Sequence, residues 1–394
     1  MPDMSSRQRM LAALECREPD HTPCSFMLFN ALRDDSRDFL DFIERQLALG
    51  LDAYVQIPPR DPIFRNDYFN LHGIAVNYHP SVRIREWTQR EPGEEHPIMY
   101  KEYITPAGTL TAEVRQTDDW PWADHVPFLD DYLSPRSRKF IVTGPEDLPA
   151  LRYLLVPPTE QERQDFLAGS QAAIELARRH DLLLAGGWGV GADMFGWIYG
   201  LENMMLALYD QPDFIAEMLD IIAEWNRSRM EVVLSAGVDL YIKRAWYENL
   251  DFFSPRFWRQ FIYPILQADI ELAHSRGAKF GYLITSNVMP LLDMFVELGI
   301  DTVIGVDPEQ WDLAETKRKL GGRVCIWGGV NGHLTVEQGT EEEVRQAVQE
   351  AMRICAPGGG FILSPVDNVR EHTALSAANA RALIDEWRKL TGQA

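Results

Sequence analysis

From residue 159 to its end the chain alternates, without a break, between apolar runs of six or seven residues and amphipathic stretches of helical period. The runs are LLLAGG, VDLYIK, KFGYLI, DTVIGV, RVCIWGG and GFILSP, and the same rhythm opens the chain with CSFMLF and LDAYVQI. Short apolar runs divided by amphipathic helices are βα units, and repeated βα units imply a parallel sheet. Strands fall near residues 24, 53, 183, 240, 281, 303, 325 and 362. Eight such units close most naturally into an α/β (β/α)8 TIM barrel. In EEEVRQAVQEAMRICA the apolar Val344, Ala347, Val348, Ala351 and Cys355 share one face, as an outer barrel helix requires. The alternative is a doubly wound open sheet. No GxGxxG turn opens a helix after the first strand, which counts against it.

One stretch breaks the rhythm. From about 70 to 116 the period becomes two: GIAVNYHP, VRIREWTQ, PIMYKEYITP and GTLTAEVRQ are separated by Gly, Pro and Asn. We expect a β-rich meander inserted after the second strand, at 65–125, within a single barrel domain spanning 1–394. Because it follows a strand end, the insertion should lie over the C-terminal mouth of the barrel or at its rim. The Pro-, Asp- and Trp-rich stretch 117–158 should wrap the surface.

With 46% hydrophobic and 25% charged residues the chain has material for a large core, and disorder is excluded. Thirty-eight basic against 59 acidic residues leave a net charge of −21, which repels nucleic acid and anionic membrane surfaces. The opening MPDMSSRQRM has no apolar core of a signal peptide, and no run approaches a membrane span. Four scattered cysteines without a CxxC pair fit a reducing, cytoplasmic setting.

A barrel of this kind places its chemistry just after the strands. After VDLYI stand Lys243, Arg244, Trp246, Tyr247 and Glu248: a cation pair, two aromatics and a carboxylate. We expect Lys243 and Arg244 to make a positive pocket for an anionic small substrate, with Glu248 and Trp246 binding it; a salt-bridge network is the alternative. Thr285, Ser286 and Asn287 follow KFGYLI, either as donors, with Asn287 on the substrate, or as a helix N-cap. Asn331 and His333 follow RVCIWGG, and Asp367 follows GFILSP. His333 or Tyr247 is the candidate proton donor and Asp367 the acceptor or anchor. A solvated loop histidine and a helix cap are the plainer readings of His333 and Asp367. Trp188 begins the glycine-broken run WGVGADMF and is a further binding candidate. No HExxH, His-x-Cys or Cys pair stands at a strand end, so no metal site is expected, and no GxSxG elbow is present.

Taken in order, SRQRMLAALECREPDHTP, TPAGTL, GLENMMLALYDQPDFIAEML, GVDLYI with LDFFSPRFWRQFIYPI, NVMPLLDMFVELGID, WDLAETKRKLGGRV with WGGVN, and GGGFILSP resemble the uroporphyrinogen decarboxylase superfamily over nearly the whole chain. The resemblance implies a (β/α)8 barrel and either of two activities: decarboxylation, or methyl transfer with a corrinoid. The departures narrow this. Where the heme-pathway enzyme has the arginine-rich RQAGRY, only Arg33 follows the first strand here. Its aspartate after the second strand falls in Gln56-Ile57-Pro58-Pro59, its Phe-Asp-Ser-Trp on Lys243-Arg244-Ala245-Trp246, and its late histidine on Asp367. The zinc ligands of the methyltransferases fall on Leu283, Thr285 and Asp367. TPAGTL and the EPDHTP opening are nearer the methyltransferase-like branch.

The sequence therefore supports methyl or one-carbon transfer to a corrinoid carried by a partner protein, with no tightly bound cofactor and no zinc. Its alternatives are a lyase decarboxylating a small carboxylated compound, and a non-catalytic binding barrel whose mouth is filled by Trp188, Trp246 and Trp327. A homodimer is the assembly that the resemblance implies.

Overall fold

The computed structural model describes residues 4–59, 71–367, 369–370 and 373–393. In chain order the strands are β1 (Tyr54–Ile57), β2 (Arg83–Gln89), β3 (Ile98–Thr105), β4 (Gly108–Arg115), β5 (Ser137–Lys139), β6 (Leu183–Gly189), β7 (Leu240–Arg244), β8 (Lys279–Leu283), β9 (Thr302–Val306), β10 (Cys325–Asn331) and β11 (Phe361–Val366). Seven of them form one parallel sheet in the order β1-β6-β7-β8-β9-β10-β11.

The sheet closes through a segment too short to be a regular strand. Ser25 N–H donates to Leu363 O at 3.0 Å, Leu363 N–H to Pro23 O at 2.9 Å, and Asp52 N–H to Cys24 O at 2.8 Å. Residues 23–25 thus bridge β11 and β1 as the eighth stave, where the first apolar run of the sequence points. The architecture is the (β/α)8 barrel.

Strands β6, β7, β9, β10 and β11 are buried along their whole length. That is the condition of a parallel sheet covered by helices on its outer side, and it explains why they read as continuous apolar runs. The helices begin where the sequence offers caps: Thr159 with Glu162 and Thr340 with Glu343 form capping boxes at Glu160–His180 and Glu341–Cys355. The second helix buries Val344, Val348, Ala351 and Cys355, the expected face. No described helix is long and apolar enough to cross a membrane.

The second sheet is antiparallel, in the order β2-β3-β4-β5. β3 alternates buried and half-buried residues, whereas β2 is exposed along its length. Two details differ from the expected meander, whose residues 65–70 lie outside the described set. The stretch 73–80 is not a strand, because the carbonyls of Ile74 and Ala75 accept from the buried Arg229 guanidinium instead of a ladder partner. The fourth strand is β5, beyond residue 125; its three residues Ser-Arg-Lys carry no period-two signal. The segment between β4 and β5 is not merely surface wrapping: it carries Asp131 onto the end of β7.

Candidate active site at the barrel mouth

The ends of β6 and β7 build the first group. Pairing runs Gly187↔Ile242 and then Gly189↔Lys243, so that Trp188 stands in a bulge. Gly187 has φ 120°, and a Cβ there would collide with the Ile242 backbone, so this turn requires glycine. Its product is an edge-to-face pair, Trp188 against Trp246, with ring centres 6.5 Å apart.

Lys243 and Arg244 are adjacent, and successive residues of a strand face opposite sides. Lys243 turns into the wall: its Nζ lies 2.9 Å from Asp269 Oδ2, both side chains are buried, and Asn226 lines the same small cavity. Arg244 turns to the mouth. Its Nη2 donates to both Asp131 oxygens at 2.9 and 2.8 Å, and its Nε lies 3.3 Å from Asp193 Oδ1 without hydrogen-bond alignment. The guanidinium stacks 3.8 Å from the centre of the Trp246 ring and 5.2 Å from that of Trp197. The expected positive pocket made by Lys243 with Arg244 is therefore corrected. Strand alternation separates the two cations, and two carboxylates already face the one that reaches the mouth.

Asp193, in the turn after β6, is fully buried and neither carboxylate oxygen has a hydrogen bond. Burial pushes its pKa up to about 7; Arg244 opposes the rise, and Glu248 and Asp131 add to it. Tyr247 is half-buried with its hydroxyl 3.5 Å from Asp131, and burial raises it to about 12, so it keeps its proton at neutral pH. Glu248 does not face the mouth. It is 1% exposed, accepting from Ala192 N–H at 3.0 Å and from Tyr282 Oη at 2.7 Å. It fastens the loop after β7 to the wall, turned away from the place where it was expected to meet substrate.

The ends of β9, β10 and β11 build the second group. Asn331 donates to Asp307 Oδ2 at 2.9 Å and accepts from Leu334 N–H at 2.6 Å, capping the turn Gly332–Glu337. His333 rides on that turn with its side chain 66% exposed, held by Glu337 at 3.0 Å and Gln338 at 2.8 Å. Asp367 is half-exposed, 3.7 Å from Arg370. It does not cap the last helix, which Thr373 does. Asn287 is exposed, and the segment 285–287 caps nothing: Val288 precedes the turn at Met289, and the Asn287 carbonyl accepts from Leu250 N–H.

Among the sequence candidates, then, Arg244, Tyr247, Trp188 and Trp246 come together on one flank, and Asn331, His333 and Asp367 on the other. Lys243, Glu248 and Asn287 join neither. Sequence reasoning missed Asp131, Asp193 and Trp197. Asp193 carried a usable signal, a carboxylate between Ala192 and Met194 in an apolar turn after a strand; Asp131 carried none. Trp327 is a core residue, donating from Nε1 to Ser25 O at 2.9 Å and packing on Tyr54.

The donor set for a metal is poor. Leu283 is apolar and buried, and among the described residues no three His, Cys, Asp or Glu side chains converge as ligands. A cleft of about 520 Å³ lies between Phe29, Leu32, Val369, Ala377 and Ile384. It is mainly apolar, with Asp35 and Arg381 also lining it, and it is built from the segment after residues 23–25, from Val369 after β11 and from the last helix.

A methyltransferase from Methanosarcina mazei is similar over 98% of this chain and 99% of its own, at 18% identity and a TM-score of 0.60. A 3-keto-D-glucoside 4-epimerase from E. coli covers 57% of this chain and 85% of its own, at 13% identity and a TM-score of 0.34. D-psicose 3-epimerase from Clostridium cellulolyticum covers 63% and 86%, at 11% identity and 0.35. No curated protein matches the chain by sequence. The family model for uroporphyrinogen decarboxylase (URO-D) matches residues 132–390, about two thirds of the chain, from just after Asp131 through the whole run of β6 to β11. The chain belongs to the uroporphyrinogen decarboxylase family.

Proposed function

We propose that this protein is a methyl or one-carbon transferase acting on a small carboxylated substrate, with a corrinoid carried by a separate protein as the methyl acceptor. The observation that carries the reading is Arg244, buried against Trp246 with its fork turned to carboxylate oxygens. An arginine fork binds a carboxylate most strongly while the charge stays on it. Decarboxylation drains that charge as CO2 departs, so such an anchor stabilises the ground state more than the transition state and slows the reaction. For transfer of a methyl group elsewhere on the substrate the same anchor only positions. The full-length similarity to a methyltransferase supports the same side.

In such a transfer the methyl leaves without its bonding pair, and the oxygen or nitrogen it leaves retains that pair and takes a proton. Tyr247 and Asp193 both hold protons near neutral pH on the Arg244 flank. His333 and Asp367, on the exposed flank, are left for a secondary role. The reading uses no zinc, since the positions of the family's zinc ligands carry Leu283, Thr285 and Asp367.

The test is methyl transfer to free cob(I)alamin from a panel of methoxy- and N-methyl-carboxylates, followed by the visible spectrum of methylcobalamin. Product with at least one donor, lost in Arg244→Ala, is the expected result. No transfer with any donor, together with CO2 release from one of them, makes the protein a lyase instead.

A further inference from the structure

The groups around the Asp131 carboxylate come from separate parts of the barrel mouth. Arg244 Nη2, at the end of β7, reaches both oxygens at 2.9 and 2.8 Å. Trp197 Nε1, on the helix Asp193–Ile198, donates at 2.9 Å, and the Tyr247 hydroxyl stands at 3.5 Å. Arg244 and Trp197 are 6% and 3% exposed, so this is a fixed, desolvated array of donors. Its occupant is different in kind. The Asp131 side chain is 41% exposed and comes from the irregular segment between β4 and β5, outside the barrel.

A buried guanidinium, indole N–H and phenol converging on one carboxylate form a carboxylate receptor. Asp193 stands behind Arg244 at 3.3 Å, but it lies on the inner side and is fully buried, so it does not take the outer face of the fork. We propose that Asp131 is an internal stand-in for the substrate's carboxylate, which takes its place on Arg244, Trp197 and Tyr247 when substrate binds. Asp131 is then a specificity-determining competitor. A tethered carboxylate sets a threshold that neutral molecules cannot cross and that weakly binding anions do not overcome. Trp246, stacked on the guanidinium and packed edge-to-face with Trp188, makes the wall beside the fork apolar and suits a monocarboxylate with an apolar body.

The proposal rests on the reading above for the substrate's carboxylate, but its test needs no methyl acceptor. Benzoate is titrated into the whole protein and followed by tryptophan fluorescence, with benzamide as the neutral control. Asp131→Ala should tighten benzoate about tenfold and leave benzamide unchanged. Asp131→Asn keeps a group that accepts from Trp197 and guards against loss of folding; it should tighten benzoate in the same direction. Adding Arg244→Gln to Asp131→Ala should remove the gain. A benzoate-specific gain above about threefold in either variant supports the proposal. A smaller gain in both, an equal gain for benzamide, or a gain that survives loss of Arg244 overturns it. A protein that binds benzoate in this way but transfers no methyl group refutes the reaction alone. One that transfers methyl groups with benzoate affinity unchanged by Asp131 refutes the competitor alone.

Discussion

At the ends of β6 and β7, Arg244, Asp193 and Trp197 are 6%, 0% and 3% exposed; across the mouth, the side chains of His333 and Asp367 are 66% and 50% exposed. Both flanks obey the rule that places barrel chemistry after the strands, and both carry acids beside a base. Burial separates them. On the first flank a carboxyl titrates near 7 and a cation stacks on indoles; on the second, burial raises the Asp367 carboxyl too, but its side chain and that of His333 stay open to water. A strand-end position therefore nominates a residue, and desolvation decides whether its charge can do chemistry.

The largest expected contrast is in activity. Arg244→Ala should lower kcat/KM for methyl transfer by about 100-fold, the scale of a buried charged hydrogen-bonded contact, whereas His333→Ala should leave it within about threefold. Equal losses from the two variants would break the comparison.

Stability should divide the flanks in the same way. Glu248→Ala strands the Tyr282 hydroxyl and the Ala192 N–H in the wall and should cost about 2–4 kcal/mol in denaturant unfolding. Asp367→Asn, half-exposed and able to keep the positive φ there, should cost less than about 0.5 kcal/mol.

A pH-dependent effect sharpens the role of desolvation. Asp193 titrates at about 7 in the fold against an ordinary 3.8. Between those values the folded state holds a proton that the unfolded state has lost, so stability falls as pH rises through that window. Asp193→Asn removes the dependence. Its Tm should exceed that of the wild type by several degrees at pH 8, on the order of 4 kcal/mol, and the gap should close towards pH 4. A gap independent of pH would mean that Asp193 is not the buried acid described. Asp52, raised to about 6 beside Arg9, adds a slope of the same sign at lower pH and should persist in the variant.

The smallest effect is at the surface: Arg370→Ala, which releases an exposed partner 3.7 Å from Asp367, should change stability by less than about 0.5 kcal/mol. A larger cost would show that the β9 to β11 flank is organised more like the other.

The barrel was legible because its signal is local and repeated. Each strand is a run of apolar residues such as DTVIGV, each helix shows a periodic face, and caps such as Thr340 with Glu343 mark the starts. Even residues 23–25, too short for a regular strand, announced themselves as an apolar run. The meander was legible in β3 and β4, where burial alternates, and in the period-two sequence of β2, but not in 73–80, whose carbonyls bond to Arg229, a residue more than 150 positions away. The site was legible only by position. Sequence located Arg244, Trp188, Trp246 and Tyr247 at strand ends, but it read Lys243 and Glu248 as members of the same pocket.

What the sequence determined by itself is therefore the repeating architecture and the set of strand-end residues from which a site must be drawn. Periodicity and capping are properties of neighbouring residues. The tertiary structure alone decided that Lys243 pairs with Asp269 while Arg244 meets Asp131, that Glu248 lies in the wall, and that Asp193 sits beside a cation with no hydrogen bond of its own. Those outcomes depend on which way each side chain leaves its strand and on segments distant in the chain that return to cover it. The electric field at a carboxyl is a sum over everything folded around it, which no local pattern records.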